Sequence, residues 1–219
     1  MEEKDKSMKK YKIDRLWNCC DEKVWLEALE EYWADFSLEQ LRLERKIDYV
    51  QFRIIKGLST EEFYDFLYND FFVWKYTAKN RLATTRMNLE KYVKENRMNE
   101  LEEVKKEIFE LDFSDTVKSI KIVSKIRGLG VSGASAFLGV LVPEKFGAVD
   151  QFVVKSLLKI NGLKEHEELV KMNPENLRVK DAAVAEKIMC TKAAELNEKF
   201  KTDFWTPRKI DMILWSIGR

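Results

Sequence analysis

Hydrophobic residues in positions 114–127 recur with the period of an α-helix. Val117, Ile120 and Val123 form an apolar stripe at a spacing of three, and lysines recur on a neighbouring face of the same predicted helix. Residues 102–111 read as another helix. Further helices are predicted to begin near Asp150, at residues 173–174, near Asp181 and at residues 206–207. The pattern predicts a mostly helical protein.

Two serines mark predicted helix starts. Gln40 follows Ser37 by three residues and Glu62 follows Ser59 by the same distance, and each pair matches a capping box. Three prolines and eight glycines are few for 219 residues, and long segments rich in Glu, Lys, Leu and Met favour helix. The predicted fold class is all-α, in a single domain that spans residues 1–219.

The composition is that of a folded domain with a substantial core, since 45% of the residues are hydrophobic and 35% are charged. The first twenty residues lack the apolar core of a signal peptide, and no later run approaches about 20 apolar residues. We therefore expect an intracellular, cytoplasmic protein that is not in a membrane. Cys19, Cys20 and Cys190 lack metal-ligand spacing, so reduced thiols without a metal site are expected, and a four-cysteine iron–sulfur cluster is excluded within one chain.

Charge is distributed unevenly although the net charge is only +1. Residues 116–143 contain four basic side chains and no acidic one. A second run, residues 75–97, is also mainly basic. Two interpretations stay open, because these runs either line one face that binds a polyanion or form ordinary solvated helix surfaces.

Glycine is concentrated beside the first basic run, since residues 125–152 hold five of the eight glycines. Gly128 and Gly130 flank Leu129 between two helical patterns, which predicts a helix, a tight turn and a helix. We expect both glycines to supply a positive φ and a close backbone approach. The free N–H groups that begin the second helix would then form an anion site suited to phosphate.

These residues resemble the helix-hairpin-helix (HhH-GPD) DNA glycosylase superfamily, and within it the 8-oxoguanine DNA glycosylases. The segment IRGLGVSGASAFL carries the hairpin pattern, and VPEKFGAVDQFVVKSL carries the loop and aspartate that follow it. The matching positions are Ile126, Gly128, Leu129, Gly130 and Ala134 in the hairpin, Pro143, Gly147, Val149 and Asp150 in the loop, and Val153 and Lys155 after it.

The resemblance implies a two-lobed helical fold with Asp150 at a cleft between the lobes. The central lobe would cover approximately residues 50–160, with the hairpin at 114–142, and the second lobe would combine residues 7–49 with 161–219. The implied partner is double-stranded DNA, bound by a monomer that needs no cofactor and is associated with the nucleoid.

The resemblance also implies roles for individual residues. Asp150 would be catalytic, since a fixed carboxylate stabilises the sugar cation that forms as an N-glycosidic bond breaks, or activates a water molecule. The residues expected to contact DNA are Lys125, Arg127, Gly128, Gly130, Val131, Ser132, Gly133 and Lys155. Such contacts to phosphate position the protein without reading sequence.

Ser132 departs from the pattern of the bifunctional members of this superfamily. Those enzymes carry a lysine nucleophile two residues after the second hairpin glycine, and a serine cannot form a Schiff base. We therefore expect a monofunctional glycosylase, with Lys125 and Lys155 as alternative amines. The alternatives to an enzyme are a non-catalytic DNA-binding protein that keeps this hairpin and, less in keeping with the acid-free hairpin, a helical protein–protein adaptor.

The substrate base cannot be identified from the sequence. Aromatic residues in positions 71–76, and Trp205 and Trp215 near the C-terminus, are candidates to stack on a flipped base, although helical spacing favours the core for each. His166, the single histidine, lies among charged residues and is assigned to a solvated helix start.

Overall fold

The computed structural model describes residues 12–34, 36–50 and 52–219. Residues 7–11, which begin the predicted second lobe, lie outside this range. Every regular element within it is helical and no strand occurs there, which confirms the all-α class. The N-terminal helices are α1 (Ile13–Trp17), α2 (Glu22–Ala34), α3 (Leu38–Asp48), α4 (Phe52–Gly57) and α5 (Thr60–Asp65), followed by a π-helical segment (Phe66–Phe71) and α6 (Phe72–Lys75).

The remaining helices carry the hairpin and the C-terminal third of the chain. They are α7 (Lys79–Leu89), α8 (Lys91–Lys94), α9 (Met98–Phe109), α10 (Thr116–Val123), α11 (Val131–Leu141), α12 (Gln151–Leu157), α13 (His166–Val170), α14 (Val179–Phe200) and α15 (Pro207–Gly218). Helix α15 packs against α12, α14 and α2. Elements from both ends of the chain therefore share one buried core.

Local capping explains where several helices begin. Ser37 and Ser59 both form complete capping boxes, as predicted. Thr206 accepts a hydrogen bond from the Lys209 N–H, and Pro207 occupies the first turn of α15. Because each cap satisfies N–H groups that the helix leaves without partners, these starts follow from a few adjacent residues.

The predicted hairpin is present, with α10 and α11 packed against each other. Its first helix is shorter than the predicted 114–127. Asp115 caps the start by accepting from the Lys118 N–H at 2.9 Å, so α10 begins at Thr116. The Ser124 hydroxyl donates to the Ile120 carbonyl at 2.7 Å, and α10 ends at Val123.

Candidate functional site

The turn between α10 and α11 depends on Gly128. Its φ is 98°, and a Cβ there would lie 2.7 Å from the Thr85 carbonyl oxygen of α7. The turn therefore needs glycine both for its conformation and for its contact with α7. The expectation was wrong for Gly130, which has an extended backbone with φ −90° and where an added Cβ would meet no atom within 4 Å.

A cleft of about 510 Å³ opens beside this turn. Its lining includes Tyr76, Arg81 and Asn88 on one side, the hairpin positions Gly130 and Ser132 on another, and Asn176. Burial raises the pKa of Tyr76 to about 12 from its ordinary value of 10.0. The lining of the cleft is more polar than apolar.

Asp150 lies at the N-cap of α12, immediately after the loop that follows the hairpin. Its Oδ1 accepts hydrogen bonds from the N–H groups of Phe152 at 2.9 Å and Val153 at 3.2 Å. Its Oδ2 lies 3.6 Å from the Nζ of Lys75, and 18% of the Asp150 side chain is exposed. Neither Asp150 nor Lys75 is among the residues that line the 510 Å³ cleft, so this cleft is not the one expected at Asp150.

From the sequence, Lys75 is only one member of the basic run at residues 75–97. It ends α6, directly after a π-helical segment, and only 10% of its side chain is exposed. Short π-helical segments occur frequently at functional sites.

Three consecutive backbone N–H groups before Asp150 are each bound by a side chain from a different helix. Gly147 donates to Glu186 of α14 at 2.8 Å, Ala148 to Asp211 of α15 at 2.7 Å, and Val149 to Ser135 of α11 at 2.9 Å. All three acceptors are buried. Since buried N–H groups without acceptors are costly, this arrangement fixes the loop that presents Asp150.

A buried ionic network joins this loop to α6. Arg208 donates to Asp211 at 2.8 Å and to Glu44 at 3.1 Å, and the indole N–H of Trp74 donates to Glu44 at 2.5 Å. The Arg208 guanidinium also lies 5.1 Å from the centroid of the Trp74 ring. One network therefore holds the loop that leads to Asp150 and the residue that precedes Lys75.

The two carboxyl groups that bind this loop, those of Asp211 and Glu186, have raised pKa values. Burial raises the pKa of Asp211 to about 6, although Arg208 opposes the shift. Burial raises the pKa of Glu186 well above its ordinary value, and its Oε1 has no hydrogen-bond partner. Both effects follow from the cost of placing a charge in a poorly solvated position.

Two basic residues next to the turn, Lys125 and Arg127, are paired with acids from other parts of the chain. Lys125 lies 2.5 Å from Glu107 of α9. Arg127 contacts Glu95 at 2.6 Å and Glu100 at 3.0 Å. Two of the four basic side chains in residues 116–143 are thus neutralised in space, and the surface at this turn is less basic than the sequence suggests.

The other predicted site residues fall into separate places. Val131 and Gly133 lie with Ser132 at the first turn of α11, beside the cleft. Lys155 is exposed on α12, where it hydrogen-bonds Gln151 at 3.2 Å. Trp205 is 2% exposed and therefore belongs to the core. His166 is exposed at the first position of α13, in agreement with the sequence.

Two negative observations apply to the described residues. No helix among them is long and apolar enough to cross a membrane. No three of their His, Cys, Asp or Glu side chains are grouped so that they would hold a metal ion.

Comparison of the chain with protein-family models, curated proteins and solved structures found no match.

Proposed function

We propose that this protein is a DNA glycosylase that releases a damaged or mispaired base from double-stranded DNA. The observation that carries the proposal is the presentation of Asp150. Its carboxylate is fixed by two N–H groups of α12, and it follows three backbone N–H groups that side chains of other helices hold. A carboxylate fixed in this way costs little to reorganise when a positive charge develops next to it.

The chemistry requires such a group. Breaking the bond between a base and its sugar leaves positive character on C1′, as in glycoside hydrolysis. The target base must first leave the stack, at a cost of a few kcal/mol that damage or mispairing lowers. Asp150 would then stabilise the sugar cation or activate the attacking water.

The hairpin would hold the DNA during this step. The turn at Gly128 and the first residues of α11 border a polar cleft, where free N–H groups suit phosphate oxygens. The two-lobed arrangement, with residues 50–160 as one lobe and 7–49 plus 161–219 as the other, belongs to the same proposal. The packing of α2 against α15 supports it, since these helices come from opposite ends of the chain.

The proposal is tested in two stages. Duplex DNA is first titrated at several stated salt concentrations, because the phosphate contribution to affinity depends on salt. Duplexes that each contain one modified or mispaired base are then incubated with the protein, and released bases are detected by mass spectrometry. Release from at least one duplex supports a glycosylase. Binding without release from any of them would favour the non-catalytic DNA-binding protein.

A further inference from the structure

We infer that Lys75 is an amine nucleophile that attacks C1′ of the deoxyribose, which would give this protein a strand-cleaving lyase activity in addition to base release. The inference rests on the proposed function, because it needs DNA bound with a sugar at Asp150. It differs from the sequence expectation, in which Ser132 removed the amine from the hairpin. The amine comes instead from α6, which is a separate element.

The position of the Lys75 amino group is the first argument. Its Nζ lies 3.6 Å from Oδ2 of Asp150, which is longer than a hydrogen bond. No hydrogen bond to this Nζ is made by any residue in the described part of the chain. With 10% of its side chain exposed, Lys75 is largely buried, and its Nζ forms an ion pair with the Asp150 carboxylate that is too long to be a hydrogen bond.

The Lys75 amino group also lies within reach of a sugar bound at Asp150. A C1′ atom that contacts Oδ2 of Asp150 from the side of Lys75 would also lie close to Nζ, because the two groups are 3.6 Å apart. Reacting atoms in productive complexes lie about 3–3.5 Å apart. Only a small rotation of the lysine side chain is therefore needed once a sugar occupies this position.

The residues around α6 hold the backbone that carries Lys75 in place. Trp74 is bound to Glu44 and stacked with Arg208, and Phe71 and Phe72 are completely buried. The backbone that carries Lys75 is therefore fixed, and less conformational entropy is lost when the amine reacts.

The other candidate lysines lack these properties. Lys125 forms an ion pair with Glu107 and half of its side chain is exposed. Lys155 is exposed and hydrogen-bonded to Gln151. Of the described lysines, Lys75 is the one whose Nζ lies within 4 Å of Asp150.

The reaction balances with water as the sole co-reactant. Asp150 first takes a proton from the Lys75 ammonium group and returns it at the end of the reaction. The free Nζ lone pair then forms a bond to C1′ as the bond from C1′ to the base breaks, and the base leaves with a second proton that the amine gives up. The C1′–O4′ bond then opens as O4′ takes a proton, leaving an imine between Nζ and C1′. Loss of a C2′ proton expels the 3′ phosphate from C3′. Water finally hydrolyses the imine and restores the lysine.

The test uses duplex DNA with one abasic site, so that it does not depend on base release. The full-length protein is incubated with this DNA and sodium cyanoborohydride, which reduces an imine to a stable adduct. We expect a covalent complex, strand cleavage when the reductant is omitted, and an adduct that peptide mass spectrometry places on Lys75. An adduct on another lysine, or none, would overturn the inference even if the protein proves to be a glycosylase.

Variants provide the second measurement. Lys75→Gln should lose the adduct and the strand cleavage while retaining DNA affinity. Lys105→Gln is the matched control, because Lys105 is also partly buried and donates to the Leu58 carbonyl away from Asp150; it should keep both activities. Should Lys75→Gln cleave as fast as the unmodified protein, Lys75 is not the nucleophile. Adduct mapping on the unmodified protein decides the question if the variant fails to fold.

Discussion

The backbone N–H of Ala148 donates a 2.7 Å hydrogen bond to the buried carboxylate of Asp211. This contact joins residues 63 positions apart in the chain and anchors α15 to the loop that ends at Asp150. The same carboxylate binds Arg208 at 2.8 Å. The C-terminal helix therefore helps to decide where the proposed catalytic carboxylate lies, although it supplies no group that contacts the substrate.

The hydroxyl of Ser135 is predicted to position Asp150. Ser135→Ala removes the acceptor for the Val149 N–H, which lies at 2.9 Å, and leaves that N–H buried without a partner. We expect the free energy of unfolding to fall by about 1–3 kcal/mol. Base release should fall more than DNA affinity, because Asp150 loses part of its fixed orientation. Denaturant unfolding, single-turnover assays and DNA titration measure these effects.

Ser156→Ala is the control for Ser135. Its hydroxyl is also buried and donates to the Leu214 carbonyl at 2.7 Å, but it does not touch the loop 147–149. This variant should lose stability while keeping base release per folded molecule. Equal losses of base release in both variants would mean that general destabilisation, and not the loop, accounts for the effect.

Glu186 is predicted to make the protein less stable as pH rises. Burial raises the pKa of this carboxyl well above its ordinary 4.5, so the folded state keeps a proton that the unfolded chain releases. Its contribution to stability is therefore complete below about pH 4 and is lost as pH rises through the folded pKa. Glu186→Gln keeps an oxygen for the Gly147 N–H and cannot ionise. We expect a smaller fall in unfolding free energy toward pH 8 than in the unmodified protein.

Glu102→Gln tests the sign of this argument. The hydrogen bond from Lys106 lowers the pKa of Glu102, so its contribution is present above the unfolded pKa and is lost as pH falls. In Glu102→Gln, the free energy of unfolding should therefore fall less than in the unmodified protein as pH is lowered. Urea unfolding at a series of pH values measures both variants, and an unchanged slope for Glu186→Gln would refute the assignment.

Gly128 and Gly130 are predicted to respond differently to alanine. Gly128→Ala places a Cβ at φ 98° and 2.7 Å from the Thr85 carbonyl oxygen, so we expect a loss of about 1–3 kcal/mol in unfolding free energy and weaker binding to DNA of any sequence. Gly130→Ala meets no atom within 4 Å and should fold with nearly unchanged stability. Thermal unfolding compares the two, and equal losses would contradict the described turn.

The features that the sequence predicted well depend on adjacent residues. Ser37, Ser59 and Thr206 begin helices because their side chains bind N–H groups three positions ahead. Asp150 caps α12 for the same reason. The hairpin followed from the glycines between two apolar patterns. The extended backbone at Gly130 was not predicted, since glycine adopts φ of either sign and its sequence neighbours do not select one.

The features that were missed depend on contacts between distant parts of the chain. Arg208 meets Glu44 across 164 positions, and Lys125 meets Glu107 across 18. The sequence does not distinguish Lys75 from surface cations, because it does not show that α6 lies beside Asp150. Local patterns fix which face of a helix is buried, but they do not determine which helices meet.

Asp150→Asn tests the central claim most directly. Asn keeps an oxygen that can accept from the Phe152 and Val153 N–H groups, so the cap of α12 should persist. The ion pair with Lys75 is lost, so the free energy of unfolding should fall, and the rate is measured where the variant is folded and saturated with DNA. Asp115→Asn alters the equivalent cap of α10, where the Asp115 side chain accepts from the Lys118 N–H at 2.9 Å, and serves as the matched control. The measurement is the single-turnover rate of base release from a duplex that the unmodified protein processes. We predict that Asp150→Asn lowers it by about two orders of magnitude, equivalent to about 3 kcal/mol, while Asp115→Asn does not; equal rates for Asp150→Asn and the unmodified protein would contradict the account.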